Sequence, residues 1–128
     1  MALCHVTLAT RDIDGTKRFF QEALGWRPIH RPSNIPMRAA WLEIGPGDEM
    51  HLIEVPDYEA SPFEREYGRH IAVSARLDEF PAIKARLARL GVEVMDAERP
   101  TPFERFFFRD PNGYIFEVVE ADHAPETD

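Results

Sequence analysis

RHIAVS at residues 69–74 repeats the pattern of CHVTLA at residues 4–9. Each is a short β-prone run with one histidine in second place, and those histidines, His5 and His70, lie 65 residues apart. Both runs lead into a helical segment closing on Leu-Gly, at Leu24-Gly25 and Leu90-Gly91, 66 residues apart. A Gly-containing tight turn follows in each half: GPGD at 45–48 and DPNG at 110–113. Four residues beyond Gly47 and Gly113, a polar residue interrupts an apolar run: His51 in MHLIEV and Glu117 in FEVVEA, again 66 apart. One register, with a single-residue slip, aligns four independent landmarks. A repeat of this kind means two copies of one supersecondary unit that must be recognised before the fold is assigned.

The unit reads strand, helix, strand, strand, strand. In the second copy Phe80, Ile83, Leu87 and Leu90 recur at helical spacing and form one apolar stripe. In the first, Phe19, Phe20, Ala23 and Leu24 do so more loosely, with Asp12 or Asp14 as N-cap. Gly25 and Gly91 stop the helices at the left-handed position that costs glycine least. Further strands are expected near 26–31, 37–44 and 49–55, then near 92–98, 103–109 and 114–121. The expected organisation is a first βαβββ module at 1–55, a charged, proline-containing linker at 56–69, a second module at 70–121, and a polar tail at 122–128. Each module is too small to bury a sufficient core by itself, so the two are expected to form one domain over 1–121.

Composition narrows the class. The chain has 128 residues, 44% hydrophobic and 30% charged, with nine Phe to fill a core. Fifteen basic against 23 acidic residues give a formal charge of −8, which argues against nucleic acid or an anionic membrane as partner. No apolar run approaches the roughly 20 residues that span a bilayer. Met1–Thr10 lacks the charged start and long apolar stretch of a secretory leader, and a cytoplasmic location is expected.

Strand alternation decides which side chains share a face. His5 points with Thr7 and Ala9; His70 points with Ala72 and Ser74, small residues that leave room above the sheet. His51 points with Ile53 and Val55, and Glu117 with Ile115 and Val119. A carboxylate on an apolar strand face is costly to bury unless it is paired or binds a cation. An isolated strand histidine is ordinarily a satisfied core or surface residue, and Glu117 alone would serve as ion-pair partner for Arg38 or Arg105. Matching placement in two copies favours a shared cation instead. His5, His51, His70 and Glu117 are nitrogen and oxygen donors with no thiolate, a set suited to Fe(II), Mn, Co, Ni or Zn. The lone Cys4 has the wrong parity to join His5 and is expected to be a small buried residue. Thr7, Arg38, Trp41 and Arg105 are weaker candidates for substrate contact, and His30 and His123 are expected to face solvent.

With these residues in place, the chain resembles the vicinal oxygen chelate superfamily, which groups glyoxalase I, bleomycin-resistance proteins, extradiol dioxygenases and fosfomycin-resistance thiol transferases. The resemblance spans Leu3 to Glu120 and is carried by HVTLATRDIDGTKRFFQEALGW, MHLIEVP, RHIAVS and, most specifically, FFFRDPNGYIFEVVE. It implies an α+β fold of paired βαβββ modules, related by a pseudo-two-fold, whose mixed sheets form a cup around one divalent ion per site. It implies His5 and His70 as ligands on the first strand of each module, and Glu117 as the carboxylate ligand on the last. His51 stands where glyoxalase I has a glutamate ligand.

The leading expectation is a glyoxalase-type isomerase or lyase acting on a small oxygenated substrate through a metal-bound enediolate, with His51 or Glu117 as base. The alternatives are an extradiol-type Fe(II) dioxygenase in which His5, His70 and Glu117 form the ligand triad, a thiol transferase, or a metal-free drug-binding protein. The resemblance also implies a homodimer.

Overall fold

Asp12 opens the first helix: its side chain accepts a hydrogen bond from the Gly15 N–H at 2.9 Å and so satisfies a donor the helix leaves unpaired. Gly25 closes that helix at φ 71°, and Gly91 closes the corresponding helix of the second copy at φ 76°. Around these stops the computed structural model describes residues 1–126 as two compact units, Met1–Glu59 and a second beginning at Ala60.

The first unit runs β1 (His5–Thr10), α1 (Ile13–Leu24), β2 (Arg27–Ile29), β3 (Ala39–Gly45) and β4 (Asp48–Glu54). The second repeats it: β5 (Ile71–Ala75), α2 (Phe80–Arg89), β6 (Val94–Asp96), β7 (Arg105–Arg109) and β8 (Ile115–Glu120). The sheets have matching orders, β1-β4-β3-β2 and β5-β8-β7-β6. First and last strands pair in parallel and the others are antiparallel. Each module is therefore βαβββ with a four-stranded mixed sheet. β2 is shorter than expected and lies at the sheet edge, where Pro28, having no N–H, is tolerated.

In the first unit, Leu8, Ala40, Leu42, Met50 and Leu52 share the sheet face that α1 covers with Ile13, Phe19, Phe20 and Ala23. Thr10 and Thr16 are buried on that side and share a 2.9 Å hydroxyl bond. In the second, Phe106, Phe108, Phe116 and Val118 meet Phe80, Ile83 and Leu87. Phe80 stands edge-on to Phe106 at 5.1 Å. Leu90 departs from its expected place in the α2 stripe. It follows the last helical residue, and its side chain is exposed. By alternation, the opposite face of each sheet carries the polar residues.

The segment expected as a linker is divided between the two units. Its first part stays with unit 1, where the Arg11 guanidinium donates to the Tyr58 carbonyl. From Ala60 onward it belongs to unit 2. There Glu64 is buried and paired with Arg69 at 2.7 Å, and the Arg69 N–H donates to the Phe63 carbonyl at 2.8 Å. Charge in this stretch builds an ordered turn. The polar tail is described as far as Glu126, and the last two residues of the expected 122–128 segment lie outside the described residues.

Candidate metal and substrate site

In the first unit β4 lies between β1 and β3, so its middle residue is flanked from both sides. His51 is opposite Thr7 on β1 and opposite Trp41 on β3. The Trp41 ring lies flat on the imidazole, with centroids 3.6 Å apart and planes 7° from parallel. His5 stacks on it as well, at 4.0 Å and 17°. The sandwich buries His51, while Thr7 and His5 stay exposed. His51 Nε2 is 2.8 Å from Glu49 Oε1, on the same strand face two residues away.

In the second unit, His70 immediately precedes β5 and Glu117 sits on β8 opposite Ala72. His70 Nε2 and Glu117 Oε1 are 3.2 Å apart. Phe107, directly across from Glu117 on β7, meets the His70 ring edge-on at 5.4 Å. The small residues Ala72 and Ser74 keep this strand open, and both are exposed.

Glu117 is held from a second direction. Arg105 Nη1 donates to its Oε2 at 2.9 Å, and Arg105 Nη2 donates to Glu66 Oε2 at 3.0 Å and to the Arg99 carbonyl at 2.6 Å. The Arg105 side chain is only 4% exposed. Burial opposes its charge, but hydrogen bonds and charge from Glu117 and Glu66 hold its pKa above the ordinary guanidinium value. Glu66 is itself secured by the backbone N–H groups of Glu98 and Arg99 at 2.7 and 3.0 Å. Burial works against its ionisation, yet these donors and Arg105 keep its pKa below the usual carboxylate range.

The structure thus gathers the predicted residues as two pairs, His5 with His51 and His70 with Glu117. Among the described residues no three His, Cys, Asp or Glu side chains form a cluster able to hold an ion. The His70–Glu117 pair nevertheless fits a shared cation. Two donors each roughly 2.1 Å from one ion, at about a right angle, stand about 3 Å apart, which is the separation seen here. Among the described residues the buried His70 Nδ1 has no hydrogen-bond partner, so the ring's hydrogen bonding is through Nε2 toward Glu117, with Phe107 against its edge.

Trp41 and Arg105 lie beside these pairs, and Arg105 is buried, not a solvated rim residue. Arg38 does not join them. It stands one residue before β3, with parity opposite to that of Trp41, and pairs with Asp14 of α1 at 2.8 Å. Cys4 is exposed, contrary to the buried place expected for it. It precedes β1; its carbonyl accepts from the Glu49 N–H at 3.1 Å, and its thiol lies 4.0 Å from the Ala2 carbonyl. His30 and His123 are exposed as expected, though His123 also stacks on Phe103 at 3.9 Å. Two functional candidates escaped the sequence reading. Glu49 has the parity of His51, which is a usable signal, whereas Glu66 lies in the presumed linker and carries none.

The family model for the Glyoxalase/Bleomycin resistance protein/Dioxygenase superfamily matches residues 2–118. The chain belongs to this superfamily. Among characterised relatives, it is 28% identical over 128 residues to Glyoxylase I 4 of Arabidopsis thaliana, covering 97% of this chain and 73% of that protein. It is 25% identical over 117 residues to metallothiol transferase FosB of Shouchella clausii, covering 89% of this chain and 76% of the other. Among solved structures, a variant of the fosfomycin resistance protein FosX from Listeria monocytogenes, complexed with Mn(II) and 1S,2S-dihydroxypropylphosphonic acid, superposes with a TM-score of 0.77 at 25% identity. That likeness covers 93% of this chain and 91% of the other. Superfamily relatives thus include divalent-metal proteins with small-molecule ligands. Among the described residues no helix is long and apolar enough to cross a membrane.

Proposed function

We propose that this chain is a divalent-metal-dependent enzyme of glyoxalase type, an isomerase or lyase acting on a small oxygenated substrate. The observation that carries this reading is the 3.2 Å His70–Glu117 pair on the polar face of one module, matched by the His5–His51 pair on the equivalent face of the other. His5, His70 and Glu117 are the proposed ligands, with His51 as either the fourth ligand or a free acid/base, and one divalent ion (Fe, Mn, Ni, Co or Zn) is the proposed cofactor. The partner is a small molecule, and a homodimer is the proposed assembly. Similarity to Glyoxylase I 4 supports the glyoxalase branch.

When bound, the ion supplies Lewis acidity that stabilises negative charge on adjacent substrate oxygens. The protein's own groups then move the proton. His51 is the favoured base: it is buried, fixed between two rings, and oriented through Nε2 by the Glu49 carboxylate. Glu117, on the strand of the second unit equivalent to that of His51, is the alternative base. Thr7, beside His51 on β1, is exposed and would meet substrate first. Trp41 supplies an apolar wall.

Elemental analysis of protein purified without chelator tests the reading, followed by loss of a methylglyoxal–thiol adduct on adding Ni(II), Mn(II) or Zn(II). Absence of metal together with no uptake would remove the enzyme reading and leave a binding protein of bleomycin-resistance type. A second reading is favoured by FosX and FosB: addition of water or a thiol to a phosphonate substrate. Turnover of fosfomycin, but not of the adduct, would select it. Oxygen uptake with catechols would instead select a ring-cleaving dioxygenase.

A further inference from the structure

We infer that Arg105 is a positioning residue that fixes Glu117 as a one-oxygen ligand and keeps it from acting as the mobile base. This rests on the metal-dependent reading above and deepens it. Glu117 has two carboxylate oxygens. Oε2 accepts from Arg105 Nη1 at 2.9 Å, which leaves Oε1, the atom 3.2 Å from His70 Nε2, to face the ligand partner. A carboxylate with one oxygen held by a guanidinium does not rotate to bind through both oxygens, nor swing away to collect a proton.

The clamp is itself braced. Arg105 Nη2 is tied to Glu66 and to the Arg99 carbonyl, and Glu66 is tied to two backbone N–H groups of the 98–99 turn. Both carboxylates and the guanidinium are largely buried, at 10%, 12% and 4% side-chain exposure. Such a network is the expected form of an outer support that aims a ligand. The equivalent place in the first module, 66 residues earlier, is Ala39, so the first copy lacks the clamp. His51, the counterpart of Glu117, pairs instead with an acid, Glu49. The halves have diverged in the partner given to each donor: a cation immobilises the carboxylate, while an anion orients the imidazole.

Mn(II) alone, titrated into the full-length protein and followed by electron paramagnetic resonance of the free ion, tests this without substrate. Arg105→Met is expected to weaken Mn(II) binding roughly 10- to 100-fold, the usual cost of losing an outer-shell partner. The sign is informative, because removing a nearby positive charge without loss of positioning would tighten binding. Arg105→Lys keeps the charge but not the fork, and is expected to stay several-fold weaker than the parent. Unchanged or tighter binding in Arg105→Met, or parental binding in Arg105→Lys, overturns the assignment. Should Arg105→Met lose its near-ultraviolet dichroism, Glu66→Gln replaces it, since it leaves Arg105 in place and loosens the brace. Binding weakened about 3- to 10-fold supports the inference, and no change overturns it. Failure of the parent protein to bind Mn(II) would remove the metal reading itself, an outcome distinct from equal binding by parent and variants.

Discussion

Trp41 and His51 form a parallel stack across the β3–β4 pair, centroids 3.6 Å apart, and His5 closes the other side of the imidazole at 4.0 Å. Cross-strand register places Trp41 directly opposite His51, whereas His5, registered opposite Glu49, reaches the imidazole diagonally from β1 on the other side of the inner strand β4. The second tryptophan, Trp26, is buried against Phe20 on the opposite side of the sheet. Trp41 is therefore a built-in reporter of anything bound at His51. Titration of Ni(II) or Co(II) is expected to quench part of the tryptophan emission, and Trp41→Phe should abolish that quenching while leaving Trp26 emission in place. Quenching that persists in Trp41→Phe would dissociate the ion from this stack.

Glu49 separates orientation from ligation. Its carboxylate holds His51 Nε2 at 2.8 Å. If it orients a base, Glu49→Gln should lower kcat on the methylglyoxal–thiol adduct by roughly 10- to 100-fold, a part of the roughly 10²- to 10⁴-fold that a positioned acid–base group contributes. Mn(II) affinity should stay within a few-fold of the parent. Equal losses in both would instead make Glu49 part of the binding of the ion.

Phe20 anchors the first module. It is fully buried, stacks on Trp26 at 4.8 Å, and meets Phe19 edge-on at 5.2 Å. Phe20→Ala empties the middle of the α1–sheet contact and should cost about 3–5 kcal/mol, whereas Phe20→Leu should cost much less. Urea denaturation of the two variants checks both values. A loss below about 1 kcal/mol for Phe20→Ala would mean that α1 is not seated on the sheet as described.

Much of this architecture is legible in the sequence, for local reasons. Asp12, Gly25 and Gly91 mark helix ends because caps and left-handed stops are made by single residues. The pairing of His70 with Glu117 was legible only through the repeat, since 47 residues separate them and no local rule joins them. Parity places His51 on its face, and the same parity puts Glu49 beside it, at the start of the strand expected over 49–55. Glu66 was not legible. It acts from a turn whose conformation depends on tertiary bonds to Arg105 and to the backbone of residues 98 and 99. Arg38 and Cys4 failed for opposite reasons. Arg38 is in a strand neighbourhood but on the helix side, and Cys4 ends up outside the strand that was meant to bury it.

Asp110 gives the second module a pH-dependent stability. It opens the Asp-Pro-Asn-Gly turn and is 4% exposed, and its Oδ1 accepts the backbone N–H groups of Asn112 and Tyr114 at 2.9 and 2.8 Å. Burial outweighs these bonds and pushes its pKa up to about 6 from an ordinary 3.8. The folded chain therefore holds a proton on Asp110 that the unfolded chain releases. This contribution to stability is full below about pH 4 and is lost as pH rises through about 6. A shift of this size corresponds to about 3 kcal/mol. Asp110→Asn keeps an acceptor oxygen for the two N–H groups and removes the titration. The stability of Asp110→Asn relative to the parent should therefore rise by about that amount between pH 4 and pH 7. Denaturant melts of both proteins across this range measure the difference, in which the titration of every other carboxylate cancels. A difference that stays flat with pH, or falls, would mean that the Asp110 carboxylate is already ionised in the folded turn.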